Sequence, residues 1–208
     1  AGAEIRYTLD GSEPDETSVL YAGPVVVDRS LTLKARGFKP GAAPSRTLTL
    51  QAEKAVFRKG LPGAGAAMRY EGVFSHVDEI RRGKLVASGT MPEPSIADAP
   101  QEDHFGYIFN GWIRIPERGV WEFMTKSDDG SVLVIGDRKV VDNDGSHASV
   151  MATGRVALEA GLHPYTLMYF EDYEGQDLSW GWRAPGAALF EQIPAERLYV
   201  EFPDCPAD

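Results

Sequence analysis

The 208-residue chain carries 31 acidic against 21 basic residues, a formal charge of -10, with 43% hydrophobic and 25% charged residues. That length can bury the core of one large or two small domains, the balance excludes wholesale disorder, and the sign excludes a nucleic-acid footprint, which would be basic. Cys205 is the sole cysteine, which excludes an internal disulfide and a cysteine-based zinc site, and no apolar run approaches the roughly 20 residues of a membrane span.

In chain order the pattern is all-β. Glu4-Ile5-Arg6-Tyr7-Thr8-Leu9 alternates, Asp10-Gly11-Ser12-Glu13-Pro14 has turn chemistry, and Pro24-Val25-Val26-Val27 and Leu31-Thr32-Leu33-Lys34-Ala35-Arg36 read as further short strands. These residues form a first module over 1–52. No charged leader followed by an apolar stretch opens the chain, and its start almost directly in a strand pattern is what a segment of a larger polypeptide would show. Gly60 to Ala67 holds small residues and proline without periodicity, so 53–66 reads as a linker.

The second module is expected over 67–200, with 201–208 as a tail. After Met68 to Phe74, the stretch from Val77 to Leu85 suggests a short helical or irregular excursion, and Thr90 to Asp103, with three prolines and several acids, reads as loop. Strands then follow at Phe105–Ile115, Val120–Lys126, Val132–Ile135, Lys139–Val141, Gly154–Leu158, Leu162–Phe170 and Leu178–Arg183, each bounded by glycine, aspartate or proline. That spacing predicts an antiparallel sandwich or barrel rather than an α/β fold.

Two resemblances sharpen this reading. The run Ala3 to Pro14, with Leu20-Tyr21-Ala22-Gly23-Pro24 and Leu31 to Arg36, resembles the small β-sandwich at the C-terminus of chitobiase and β-hexosaminidase-type glycosidases, here without its early strands. It implies a structural or spacer role. Phe109 to Phe123, Ser127 to Asn143, Gly161-Leu162-His163-Pro164-Tyr165 and Leu178 to Gly186 resemble the protective-antigen type (PA-fourteen) domain, a larger antiparallel β-sandwich of bacterial glycosidases, adhesins and toxins. In sugar-binding members of that family two consecutive aspartates joined by a cis peptide hold a calcium ion that glycan hydroxyls also coordinate, and Asp128 and Asp129 match the pair.

The chemistry is coherent, because calcium takes six to eight oxygen ligands and vicinal hydroxyls supply two. The alternative is a plain hairpin turn whose aspartates cap backbone amides. Further ligands would come from Asp142-Asn143-Asp144 or Glu171-Asp172-Tyr173-Glu174, and the candidate ligand-binding residues are Asp128, Asp129, Asp144, Asp172 and Tyr173. An EF-hand at Asp142 is excluded, since no bidentate glutamate follows at the required place.

Sugar sites stack aromatic faces on the ring, and Tyr173, in the acidic loop, is the expected platform. Trp180 and Trp182 share one strand face with Leu178 and are expected in the core. Ser146-His147 beside Asp144 does not make a triad, because adjacent residues point to opposite sides of an extended chain. His76, His104 and His163 lack ligand spacing and are expected at the surface or at strand edges. Paired-carboxylate hydrolysis needs groups about 5 to 9.5 Å apart across a cleft, which consecutive turn residues cannot provide. The expectation is therefore a non-catalytic, carbohydrate-binding accessory region of a secreted glycosidase. Its partners would be a glycan, amino-sugar-containing by resemblance, and a catalytic domain of the same polypeptide. Its place would be extracellular, periplasmic or on the outer cell surface. The rivals are a rigid spacer on the catalytic domain and an adhesin fragment.

Overall fold

The computed structural model of the protein describes residues 2–52, 54, 67–100 and 103–200. The expected linker over 53–66, Lys54 apart, and the expected tail over 201–208 lie outside the described residues. The chain divides into two compact units, Ala1–Ala55 and Val56–Asp208.

In the first unit, β1 (Glu4–Thr8), β2 (Val19–Leu20), β3 (Leu31–Phe38) and β4 (Leu48–Ala52) form an antiparallel sheet in the order β2-β1-β3-β4. Directly opposed residues share a face. The register therefore gathers Ile5, Tyr7, Val19, Leu33, Ala35, Leu48 and Leu50 on one side and Arg6, Thr8, Lys34, Arg36 and Thr49 on the other. On the polar side Lys34 meets Glu13 at 2.5 Å. The apolar side stays open, with Leu48 67% and Leu50 54% exposed. Pro24 to Val27, expected as a strand, is irregular, and Val26 is 86% exposed. Valine favours strands by packing on a half-buried pleated surface; here the strand beside β1 is Val19–Leu20, and the valines have no ladder partner among the described residues.

The second unit is a sandwich. Its strands are β5 (Ala67–Glu71), β6 (Lys84–Gly89), β7 (Phe105–Ile115), β8 (Gly119–Asp128), β9 (Ser131–Ile135), β10 (Arg138–Asn143), β11 (Val150–Leu158), β12 (Gly161–Glu171), β13 (Asp177–Arg183), β14 (Glu191–Gln192) and β15 (Leu198–Tyr199). One sheet runs β10-β9-β12-β7-β5-β6, with β15 also on β7, and the other runs β11-β8-β13-β14. The expected excursion after Phe74 is a 3-10 helix over Val77–Arg82, followed by β6.

Alternation sends Phe105, Tyr107, Phe109, Ile113 and Ile115 of β7 towards Trp121 and Phe123 of β8 and Trp180 and Trp182 of β13, the principal core. Trp180 and Trp182, expected in the core, are there, and Trp182 has its ring centroid 4.7 Å from that of Trp121. The other face of β7 is covered as well. Ile108 joins Tyr70, Phe74, Val77, Ile80, Val132 and Phe170 in a second cluster beneath the 3-10 helix. A strand covered on both sides loses the alternation of a half-buried one, which is why β7 reads as a nearly continuous apolar run. His163, expected at a surface or edge, is buried, because on β12 it alternates onto the inner face with Tyr165 and Leu167. Its Nε2 meets the Glu159 carbonyl at 2.8 Å, and burial holds its pKa below the usual imidazole value. No helix among the described residues is long and apolar enough to cross a membrane.

Candidate functional site

At one end of the sandwich the inner faces turn polar. Thr125 and Ser127 on β8 and Ser131 on β9 are fully buried, and a buried hydroxyl is costly unless paired. They pair with one another: the Ser127 and Ser131 hydroxyls lie 2.8 Å apart, and Ser131 donates to Thr125 at 3.0 Å. Asn143 Nδ2 donates to Ser127 Oγ at 3.0 Å and to the Val150 carbonyl at 2.9 Å, tying the end of β10 to the same network.

This network supports the β8–β9 turn, whose Asp128–Asp129 peptide is cis. The next residue has no room for a side chain: a Cβ on Gly130 would stand 2.4 Å from the Phe170 ring and 2.9 Å from the Gly145 backbone. Asp129 is buried, and its carboxylate gathers three backbone donors. His147 N–H donates to Oδ1 at 2.7 Å, while Asp172 N–H and Tyr173 N–H donate to Oδ2 at 2.9 and 3.3 Å. Asp129 thus caps amides, as the plain-turn alternative required, and does so for two separate loops.

β12 supplies a third carboxylate. Tyr165, Leu167 and Tyr169 point inward, so the same parity turns Glu171 inward at the strand's end, where it is fully buried. One oxygen from each of Asp128, Asp129 and Glu171 lies within 4.8 Å of the others. The Tyr169 hydroxyl is 2.6 Å from the Asp128 carbonyl and 2.9 Å from Glu171 Oε2. A phenol has one proton. That proton faces two acceptors, the Asp128 carbonyl and the Glu171 carboxylate. Burial pushes the Glu171 carboxyl up to about 8, against the lowering effect of the Tyr169 hydroxyl and with the help of the charges of Asp129, Asp128 and Asp103. Burial and the neighbouring Asp129 raise Asp128 as well. The other Glu171 oxygen, Oε1, is buried without a hydrogen-bond partner among the described residues. A buried acceptor left unpaired costs about 1–3 kcal/mol, and a cation bound by these carboxylates would remove that cost.

The other expected ligands are placed differently. Asp144 Oδ1 accepts from Val77 N–H at 2.9 Å and Gly145 N–H at 3.0 Å, and Oδ2 lies 3.2 Å from His76 Nδ1. Its carboxylate holds the start of the 3-10 helix and lies outside the three-carboxylate group. Asp172 enters through its backbone, while its side chain lies 3.6 Å from His104 Nδ1. Tyr173 is 64% exposed, its ring 6.1 Å from that of His104. The ring nitrogens of His147 face the carbonyls of Ala148 and Asn143, so it does not serve Ser146 as a base.

All three converging groups are carboxylates, the oxygen donors that hard cations such as calcium take.

Comparison with known proteins gives a family for each unit. The PA14 domain model matches residues 92–195, half of the chain, and the Fn3 associated model matches residues 1–51. A β-hexosaminidase of Porphyromonas gingivalis is 26% identical over a 231-residue alignment that takes in 94% of this chain. The chain spans 27% of that enzyme's length. Among solved structures, the PA14 domain of the MpAFP antifreeze protein is similar with a TM-score of 0.52 and 14% identity, over 74% of this chain and all of that one. The PA14 sugar-binding domain of an RTX adhesin is similar with a TM-score of 0.51 and 13% identity, over 67% of this chain and all of that one. These likenesses establish the fold.

Proposed function

The chain belongs to the PA14 domain family, and from that premise we propose that it is a non-catalytic, carbohydrate-binding accessory region of a secreted glycosidase, binding its glycan through a calcium ion. The observation that carries this reading is the buried, unpartnered Oε1 of Glu171 in a group of three carboxylates. Asp128, Asp129 and Glu171 would hold the ion, which when bound offers open coordination positions to the vicinal hydroxyls of a sugar. Asp129 ties the loops after β10 and β12 to the turn through its three backbone donors, and Tyr173 offers an exposed ring against which a pyranose can stack. The resemblance to a β-hexosaminidase supports a glycosidase as the parent polypeptide, with its catalytic domain as partner and a site of action outside the cytoplasm. The name of the RTX adhesin domain supports sugar as the ligand. The first unit is read as the connecting module.

Titration calorimetry tests the proposal. Calcium binds the 208-residue chain with carboxylate-dependent affinity, Asp128→Asn and Glu171→Gln each weaken it at least tenfold, and sugar binding disappears in chelator. Sugar binding that persists in chelator, or calcium affinity unchanged in both variants, overturns the reading.

A further inference from the structure

The edge of β13 is only partly covered. β14 pairs with it at Gly181 and Trp182, while from Asp177 to Trp180 no strand lies on the side away from β8 among the described residues. The loop of Glu93 to Ala97 stands off from that edge and leaves a groove of about 490 Å³, within the range of ligand sites, about 300–1,000 Å³. One end is bridged, where Gln192 Nε2 on β14 donates to Glu93 Oε2 on the loop at 3.1 Å. The other end opens beside the carboxylate group. Asp177 is the ladder partner of Asp128, Gln176 lines both the groove and the recess around Tyr173 and Glu174, and a Cβ on Gly175 would stand 3.4 Å from Asp128 Oδ2. A strand rises about 3.3 Å per residue, so from Asp177 to Gly181 the groove runs about 13 Å, the length of about two pyranose rings in line.

The lining suits a sugar chain. Ile96, Met124 and Leu178 offer apolar surface to the C–H faces of a ring, and the exposed Gln176 and Ser179 offer an amide and a hydroxyl to its hydroxyl groups. The uncovered edge adds the backbone N–H and C=O groups that it turns away from β8. The carboxylates of the lining are already held, Glu93 by Gln192, Asp177 by Lys126 and Ser149, and Glu191 by Trp182 Nε1. No lysine, arginine or histidine among the described residues lines the groove, so recognition there runs through hydrogen bonds and ring faces. A peptide strand fits less well, because the open edge is short and the Lys126–Asp177 ion pair stands at its mouth, and short, charged edges oppose strand addition. We propose that this groove is a chain subsite, seating the second and third units of an oligosaccharide whose first unit is held at Asp128, Asp129 and Glu171. The inference rests on the carbohydrate-binding reading above and adds the length of the ligand to it. A single net hydrogen bond is worth about twofold to tenfold in affinity, so each seated unit adds a measurable step and a fourth unit adds none.

The test is a calorimetric titration of the 208-residue chain, in saturating calcium, with N-acetylglucosamine and its β-1,4-linked oligomers of two, three and four units. Affinity rises about tenfold or more from one unit to three and is level from three to four. Ser179→Trp, which fills the groove from its exposed rim, brings the trisaccharide to within about twofold of the monosaccharide, with calcium and monosaccharide affinities as in the parent chain. Gln192→Ala, which removes the bridge at the far end, weakens the trisaccharide and not the disaccharide. Melting temperatures check that both variants are folded. Equal affinity along the series, or a gain that both variants leave intact, overturns the chain subsite and leaves the carbohydrate reading standing. Failure of every sugar to bind, with calcium bound, overturns both. NMR shifts at Leu178 to Trp180 produced by an extended valine–threonine tetrapeptide and by none of the sugars assign the edge to strand addition and overturn the proposal.

Discussion

Along β8 and β13 the side chains that alternate inward meet a facing sheet, and Trp121, Phe123 and Trp182 are no more than 2% exposed; along β1 and β4 the same alternation meets no second layer among the described residues of its own unit, and Ile5, Leu48 and Leu50 are 48% to 67% exposed. Both regions are antiparallel and equally amphipathic in sequence. An apolar strand face specifies that something should cover it and not what does, because a sheet becomes a core only with a second layer. The difference bears on function. A buried hydroxyl ladder such as Thr125, Ser127 and Ser131, and a buried carboxylate such as Glu171, can be held in place only where two layers close over them. The first unit has no such enclosure among its described residues, and its carboxylates stand at the surface, where Asp10 and Asp15 bind the hydroxyls of their own turns.

The largest expected effect sharpens this contrast. Phe123 is fully buried in the principal core, so Phe123→Ala should cost about 3–5 kcal/mol. Scanning calorimetry should show the loss in the transition of the second unit alone. A cost below about 1 kcal/mol would mean that the two sheets are not packed in solution as they are here.

The sandwich was legible where covering layers reinforce a period of two. Phe105–Ile115 and Leu178–Arg183 read directly as strands, since aromatic and branched residues recur between turn signals and both strands end up buried. Less was legible where burial depends on partners distant in sequence. The three valines after Pro24 have strand composition but no neighbour to pair with. Glu171 is the more instructive case. In the sequence it belongs with its neighbours to one acidic stretch, yet the parity of β12 separates it: two residues past Tyr169 it must share the inner face, while Asp172 and Tyr173 have left the strand. The signal is the period of two itself, which carries the inward parity of Tyr165, Leu167 and Tyr169 on to an acid at the strand's end. Asp144 shows the reverse, an acidic loop residue in calcium-like company whose carboxylate is occupied by the amides of Val77 and Gly145.

Asp144 supplies the intermediate prediction. Removing a carboxylate that accepts two backbone N–H groups costs about 1–2 kcal/mol, so Asp144→Ala should lower the unfolding free energy of the second unit by that amount, read from its denaturant transition. Its calcium affinity, measured in the same buffer, should remain within about twofold of the parent chain. A tenfold loss of calcium affinity at unchanged stability would return Asp144 to the ligand set and shift the contrast between enclosed and exposed carboxylates towards the loops.

The smallest effect belongs to the first unit and tests its open face most directly. Leu50 stands on the apolar side of the sheet opposite Leu33, 54% exposed. Truncating it to a smaller β-branched residue removes apolar surface that is already half in water, and threonine suits a strand at least as well as leucine does. Leu50→Thr should therefore change the stability of the first unit by no more than about 0.5 kcal/mol, the range of surface substitutions, read from its own denaturation transition. A loss of about 2 kcal/mol or more would be the signature of a packed core position. In that event the face is covered in solution, and the contrast between the two units is one of what covers each sheet rather than whether anything does.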